Sequence, residues 1–182
     1  MPLWLWVFLL FVAALCLFKL VFVASATLVL PITRGALFVP TSRRRVDAAL
    51  EALALQPEQL LVDLGCGDGR VLRTAAGRYG VRAVGYELNP LALTKAWLLN
   101  ATRRGVSVRR RNFWKIDLAD ADAIFCYLFP DLMPELAVKL QHDLRPGTPV
   151  VSCNFELPGW TAERILHPPG ALYNDPIFVY RR

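Results

Sequence analysis

Apolar and polar positions divide the chain into two unequal parts. From Leu3 to Leu30 the only charged residue is Lys19. Read as a helix, that run would extend about 42 Å, against a hydrocarbon core of about 30 Å, so it can span a bilayer with room to tilt. Lys19 near the centre costs about 2.5–3.5 kcal/mol, while each of the many Leu, Val and Phe residues returns at best about 0.3–0.6 kcal/mol. Insertion is favoured, and an off-centre Lys19 can snorkel. Trp4 and Trp6 stand where an aromatic belt would lie. Two other readings compete, a third, a buried core helix, being set aside at this length. Ala24-Ser25-Ala26 resembles a signal-peptide cleavage site, although no basic residue precedes Lys19. A helical hairpin turning near Lys19 is the second.

Beyond this run the apolar stretches are short and regularly interrupted. Pro31 to Pro40 reads as a connector. Thr41 or Ser42 can cap a helix from Arg43 to Leu55, with Val46, Ala49, Leu50 and Leu53 on one face. Strands are expected at Leu60–Leu64, Ala83–Tyr86, Val106–Arg110, Ala123–Leu128 and Thr148–Cys153. Helices are expected at Gly69–Tyr79, stopped by Gly80, at Pro90 to about Arg103, stopped by Gly105, and at Leu132–Leu144. Two further strands, Thr161–Leu166 and Ile177–Tyr180, lie too close together for a helical crossover and should run antiparallel at the edge. The fold class expected is α/β: a Rossmann-like, doubly wound, mainly parallel sheet preceded by an N-terminal transmembrane helix. Residues 1–33 would be the anchor, 34–58 a connector and helix, and 59–182 the domain that carries the chemistry.

Charge and cysteine content narrow the setting. The net charge is +6 and the mean hydropathy +0.37, the apolar excess lying at the N-terminal end. A basic chain favours anionic partners without choosing among them. Cys16, Cys66, Cys126 and Cys153 form no C-x-x-C pair, which fits a reducing compartment better than a disulfide framework. His142 and His167 lack metal-ligand spacing, so no metal is expected. Arg34, Arg43, Arg44 and Arg45 all follow the apolar run, which puts the rest of the chain on the cytoplasmic side of a single-pass membrane protein, the inner membrane in a bacterium. It also brings the basic run near an anionic leaflet.

Residues 61–72 read LVDLGCGDGRVL. Gly65, Gly67 and Gly69 alternate where the dinucleotide fingerprint wants G-x-G-x-x-G, and no Gly-Lys-Ser/Thr follows as in a phosphate-binding loop. With Asp63 before the loop and Asp68 inside it, two carboxylates would face a pyrophosphate without an evident counter-charge. A cofactor with a cationic centre suits the loop better, and S-adenosylmethionine has a sulfonium, an ammonium and a ribose. Asp63 can position its amino-acid end. Glu87, closing the second strand, can accept from both ribose hydroxyls. Asn112 and Phe113, after the third strand, suit an adenine. Cys66 and Leu88 join the site by their places in the loop and beside Glu87.

These stretches carry a resemblance. D-L-G-C-G-D-G-R resembles the first motif of the class I S-adenosylmethionine-dependent methyltransferases, and G-Y-E-L-N-P the acidic motif that follows it. Taken with F-V-P-T-S, F-C-Y-L-F-P-D-L-M-P-E-L and C-N-F-E-L-P-G-W, the chain resembles the small membrane-anchored protein-lysine methyltransferases. Those act on adenine nucleotide translocase and on the ATP synthase c subunit. The resemblance runs from about Phe38 to Trp160. Asp131 departs from it where an amide is expected, and Glu156 where an apolar residue or proline is expected.

What this implies is transfer of a methyl group to a lysine. Tyr127, Phe129 and Pro130 follow the fourth strand and are expected beside the transferred methyl. Asn154, Phe155 and Trp160 follow the fifth and would form another wall. Asp131 would orient the amine or take its proton, or simply start the next helix. A dry aromatic pocket favours the neutral amine. The partners expected are the bilayer and a lysine in a membrane protein, with the ATP synthase c subunit the leading candidate. Nucleic acid is not expected, because Arg103, Arg104 and Arg109–Arg111 lack interleaved aromatics. The rival readings are methylation of a small molecule, lipid or RNA, and a non-catalytic membrane module that retains S-adenosylmethionine.

Overall fold

A computed structural model describes residues 2–33, 41–168 and 175–182. The chain divides into two compact units, Met1–Leu37 and Phe38–Arg182. The first holds one helix, α1 (Leu3–Thr33), which runs unbroken past Lys19, so the hairpin is not formed. It also takes in Pro31, Ile32 and Thr33, which the apolar pattern assigns to the connector. Residues 34–40, including Arg34 and the Phe38-Val39-Pro40 stretch, lie outside the described residues. The segment Leu3–Val21 is long and apolar enough to cross a bilayer, and none of it is buried.

In the second unit the alternating pattern builds a seven-stranded sheet in the order β3-β2-β1-β4-β5-β7-β6. The strands are β1 (Leu60–Leu64), β2 (Arg82–Tyr86), β3 (Val106–Arg109), β4 (Ala123–Cys126), β5 (Pro149–Cys153), β6 (Arg164–Leu166) and β7 (Ile177–Arg181). β1 to β5 are parallel, and β7 pairs antiparallel with both β5 and β6. The last two strands thus behave as their short connection requires. The fold is Rossmann-like, as expected.

Among the described residues of this unit the helices are shorter than the apolar pattern suggests: α2 (Arg43–Ala52), α3 (Arg70–Tyr79), α4 (Pro90–Asn100) and α5 (Met133–Asp143). Ser42 caps α2 through a bond from the Arg45 amide, and Asn89 caps α4. Gly80 ends α3 in the left-handed region. Gly105 does not end α4, which stops at Asn100. It turns the chain into β3 instead, with φ of +77°. Short 3₁₀ turns occupy Phe113–Lys115 and Pro130–Leu132.

Both faces of the sheet are covered, which is why β1, β4 and β5 read as nearly continuous apolar runs. Leu50, Leu61, Leu72, Phe125 and Val151 pack on the α2–α3 side. Val62, Leu64, Ile124, Leu136, Leu140 and Tyr180 pack on the α5 side. The chain leaves β1 for β2 on one side and later returns to its other side with β4. The switch point of the sheet is therefore the carboxyl end of β1 and β4, where ligands of such folds bind.

Gly85 on β2 lies opposite Asp63 in the ladder. A Cβ there would come within 2.6 Å of Cys66 Cβ and Sγ and of Leu72 Cδ1. Gly85→Ala is expected to destabilise the domain by about 1–3 kcal/mol through overpacking. Gly77→Ala, in α3 with nothing near the new methyl, is expected to be neutral or stabilising. Thermal denaturation of the two variants side by side checks both; equal melting temperatures would remove the packing argument.

Candidate active site

All five parallel strands end on one edge, and the polar residues singled out in the sequence gather there. Gly65, Gly67 and Gly69 have φ of +82°, +54° and +71°. That left-handed backbone explains a glycine at every second position. The amides of Gly65 and Cys66 both donate to Tyr86 O at 3.0 Å, folding the loop over the end of β2. The Gly67 amide donates to Glu87 Oε2 at 2.9 Å, while Glu87 Oε1 accepts from the Leu88 and Asn89 amides at 2.8 Å each. Glu87 thus pins the glycine loop to the start of α4. Burial pushes its pKa up, and the three amides pull it back.

Asp63 is buried at the end of β1. Its pKa stands well above the usual carboxylate range, first through burial and then through the Glu87 and Asp68 carboxylates, and every influence on it acts upward. A buried carboxylate in that state gains from a cationic ligand. Asp68 departs from expectation. Rather than facing a ligand unpaired, it lies near Arg70 (3.7 Å), Arg73 (3.6 Å) and Lys95 (3.5 Å), and the Arg73 guanidinium also donates to its backbone carbonyl. The lack of a counter-charge, which weighs against a pyrophosphate in the sequence, therefore does not hold for Asp68. The preference for a cationic cofactor rests on Asp63.

Asn112 accepts from the Trp114 amide at 3.0 Å and so starts the 3₁₀ turn Phe113–Lys115. The Phe113 and Trp114 rings lie 4.8 Å apart, tilted by 43°. The edge thus carries a left-handed glycine loop, two acids at adjacent strand ends and an amide beside an aromatic. These residues fit S-adenosylmethionine. Among the described residues, no group of three or more His, Cys, Asp or Glu side chains is placed to hold a metal.

The expected acceptor residues separate into two groups. Tyr127, just after β4, and Asn154, just after β5, meet: Asn154 Nδ2 donates to the Tyr127 hydroxyl at 3.2 Å. Behind them stands Arg45 from α2, which by sequence belongs to a basic run near lipid. It is buried. Its guanidinium pairs with Asp175 at 2.6 Å, donates to Asn154 Oδ1 and lies 5.7 Å from the Tyr127 ring centre. Its Nε is buried without a partner. Asn154 itself sits at φ +72°, a conformation that asparagine tolerates better than other side chains. Burial raises the Tyr127 pKa, with Arg45 opposing, so the phenol keeps its proton at neutral pH.

Trp160 does not join them. It packs on the α5 face with Phe155, donates from its indole to Ala137 O at 3.2 Å, and meets Tyr180 edge-on at 5.9 Å. Tyr127 packs against the opposite face. Phe129 is half-buried at the start of the turn Pro130–Leu132, and Pro130 and Asp131 are exposed.

Binding of S-adenosylmethionine should be linked to protons. A raised Asp63 pKa means that the folded apo domain holds its proton longer than the unfolded chain. Stability is therefore lost as pH rises from the ordinary carboxylate value through the raised one. A cationic ligand favours ionised Asp63. Affinity should rise with pH across that window, with release of up to about one proton per ligand bound. Calorimetry in two buffers of different ionisation enthalpy measures it. Identical apparent enthalpies at every pH would separate Asp63 from the ligand.

Comparison with known proteins agrees with this geometry. Residues 63–164 match a family model described as the ANTKMT methyltransferase domain. The chain is 34% identical over 148 residues to a protein-lysine N-methyltransferase of Saccharolobus islandicus, covering 79% of this chain and 91% of that protein. It is 36% identical over 135 residues to a lysine N-methyltransferase of Rattus norvegicus named for the c subunit of ATP synthase. That match covers 69% of this chain, which spans only 59% of the rat protein's length. Among solved structures, it is similar to an RNA methyltransferase from Salinibacter ruber in complex with S-adenosyl-L-homocysteine. Identity there is 32% and the TM-score 0.71, with 79% of this chain and 93% of that one covered.

Proposed function

The chain belongs to the ANTKMT methyltransferase family of S-adenosylmethionine-dependent protein-lysine methyltransferases, and on that premise we propose that its substrate is a lysine side chain of a membrane protein. The observation that carries this reading is the apolar helix α1, joined to a domain of that family. A tethered enzyme meets membrane-bound targets at raised effective concentration without any change in its active site. The rat relative, by its name, acts on the ATP synthase c subunit, and the same protein is the leading candidate here. The domain would face the cytoplasm, since Arg43 and Arg44 are exposed after the apolar segment.

Bound S-adenosylmethionine supplies an electrophilic methyl group. The chain's own residues do the rest. Glu87 would hold the ribose hydroxyls, Asp63 the amino-acid end, and Asn112 and Phe113 the adenine. Gly65, Cys66, Gly67, Gly69 and Leu88 would bring backbone and apolar surface close. Tyr127, Asn154, Phe129 and Pro130 would shape the acceptor side. A lysine at neutral pH pays about 4–5 kcal/mol to lose its proton. Arg45, its charge met by Asp175, would hold Tyr127 and Asn154 in place, and an apolar setting around the amine would lower that cost. Asp131, exposed beside Pro130, would orient the amine or receive its proton. Trp160 is assigned to supporting the fold from the α5 side.

The test is labelled S-adenosylmethionine with whole membranes and the purified full chain, followed by protease, lipase or ribonuclease. Label removed by protease and found on lysine is expected. Label following ribonuclease would favour RNA, the reading that the Salinibacter structure's name supports. Label following lipase would point to a lipid. S-adenosylmethionine binding with no labelled fraction would favour a non-catalytic module. Deleting residues 1–33 is expected to move the protein to the soluble fraction in high salt. Retention on membranes in high salt would place the anchor elsewhere.

A further inference from the structure

The last turn of helix α4 exposes three large apolar side chains that its own domain leaves open. Trp97, Leu98 and Leu99 are 48%, 75% and 45% exposed. The side of α4 turned inward is already filled by Ala92, Leu93 and Ala96. Exposed large apolar side chains gathered at one helix end and rimmed by charged residues mark an interaction surface. The Trp97 indole donates to Val108 O at 3.0 Å, which fixes it against β3, the outermost strand of the sheet on that side.

The charged residues next to this helix end along the chain are basic. Arg103 and Arg104 follow α4 and lead into β3, while Arg109 closes β3 and Arg110 and Arg111 follow it. All five are exposed. β3 is only four residues long, roughly 13 Å at strand rise, so guanidiniums flank Trp97 at both ends of it. From Leu88 to Ile116 the sequence has no Asp or Glu.

We propose that this helix end docks on the surface of an anionic lipid bilayer, Trp97, Leu98 and Leu99 entering the headgroup boundary and the flanking arginines meeting lipid phosphates. The proposal rests on the membrane reading above, and it gives the domain a contact of its own in addition to α1. Here the contact is a helix end rather than an amphipathic helix: a tryptophan and two leucines can enter the headgroup boundary, and each basic residue near such a surface adds to the attraction. Single-stranded RNA would also use arginine and an aromatic. Here, however, the indole is tied by its N–H to β3, and Leu98 and Leu99 offer no plane for a base.

The experiment uses the full chain in lipid nanodiscs of phosphatidylcholine alone or mixed with phosphatidylglycerol, and reads hydrogen exchange over residues 96–111. Exchange is expected to slow about tenfold in the anionic discs and to recover in high salt only in part. The combined variant Leu98→Ser, Arg104→Glu, Arg110→Glu should exchange equally in both discs while its S-adenosylmethionine affinity stays unchanged. Equal exchange of the unaltered chain in both discs overturns the proposal. If the chain enters neither disc, the anchor reading falls alone, and co-sedimentation with phosphatidylglycerol vesicles decides the docking. Binding there that the variant loses upholds it, and no binding overturns it. An oligouridine that protects residues 96–111 in detergent where anionic discs do not would transfer the surface to RNA.

Discussion

Glu87→Ala is expected to weaken S-adenosylmethionine binding by about two to four orders of magnitude. A hydrogen bond to a charged acceptor contributes about 1.5–3 kcal/mol, and two ribose hydroxyls would be lost together. The same carboxylate also receives the Gly67, Leu88 and Asn89 amides, so the glycine loop loses its hold on α4 as well. The fold itself should survive, because the Gly65 and Cys66 amides still hold the loop to Tyr86 O. Glu87→Gln keeps the shape and one acceptor oxygen and should fall between the two. Calorimetry gives the affinities, and near-ultraviolet dichroism of the apo protein reports the fold. An affinity for Glu87→Ala within threefold of the unaltered chain would take Glu87 out of the site.

The acids at strand ends are legible because each apolar run stops where its strand stops. Asp63 and Glu87 stand at the ends of β1 and β2, adjacent strands in register, and the alternating glycines need no tertiary information beyond positive φ. Helix limits are less legible. The apolar pattern carries α2 to Leu55, yet α2 ends at Ala52. Leu53 and Leu55 are buried all the same, so periodicity records burial after the helix has stopped. Asp68 reads as a carboxylate without a counter-charge and is met by three cations. A signal that places it is present: Arg70 and Arg73 lie at the start of α3, on the side of the loop.

Arg45 is not legible at all. It is the third of three consecutive arginines, and the other two are exposed. Its partners Asn154 and Asp175 are 109 and 130 residues away in sequence, so no local pattern marks it. Trp160 fails for the converse reason. An aromatic after β5 can turn to either face, and the acceptor that fixes its indole, Ala137 O, belongs to α5.

Arg45→Met is expected to cost stability and methyl transfer while leaving cofactor affinity almost untouched. The substitution strands the Asp175 carboxylate and takes the donor from Asn154 Oδ1. Removing one member of a fully buried pair costs about 3–5 kcal/mol; the Asp175 side chain is 28% exposed, so the loss should fall below that range, at roughly 2–4 °C in melting temperature for each kcal/mol in a domain near this size. Asp175→Asn in the same chain should return part of the loss, since no charge is then left unpaired. Arg45 bonds neither to the glycine loop nor to Glu87, so S-adenosylmethionine should bind as before. The rate should fall because Asn154 and Tyr127 lose the group that aligns them. Asn154→Gly isolates that step: glycine keeps the left-handed backbone of φ +72° and removes only the amide between Arg45 and the Tyr127 hydroxyl. Its melting temperature should drop less than that of Arg45→Met, with a comparable loss of kcat. If instead cofactor affinity falls in step with rate in both variants, the network supports the cofactor loop and not the acceptor wall.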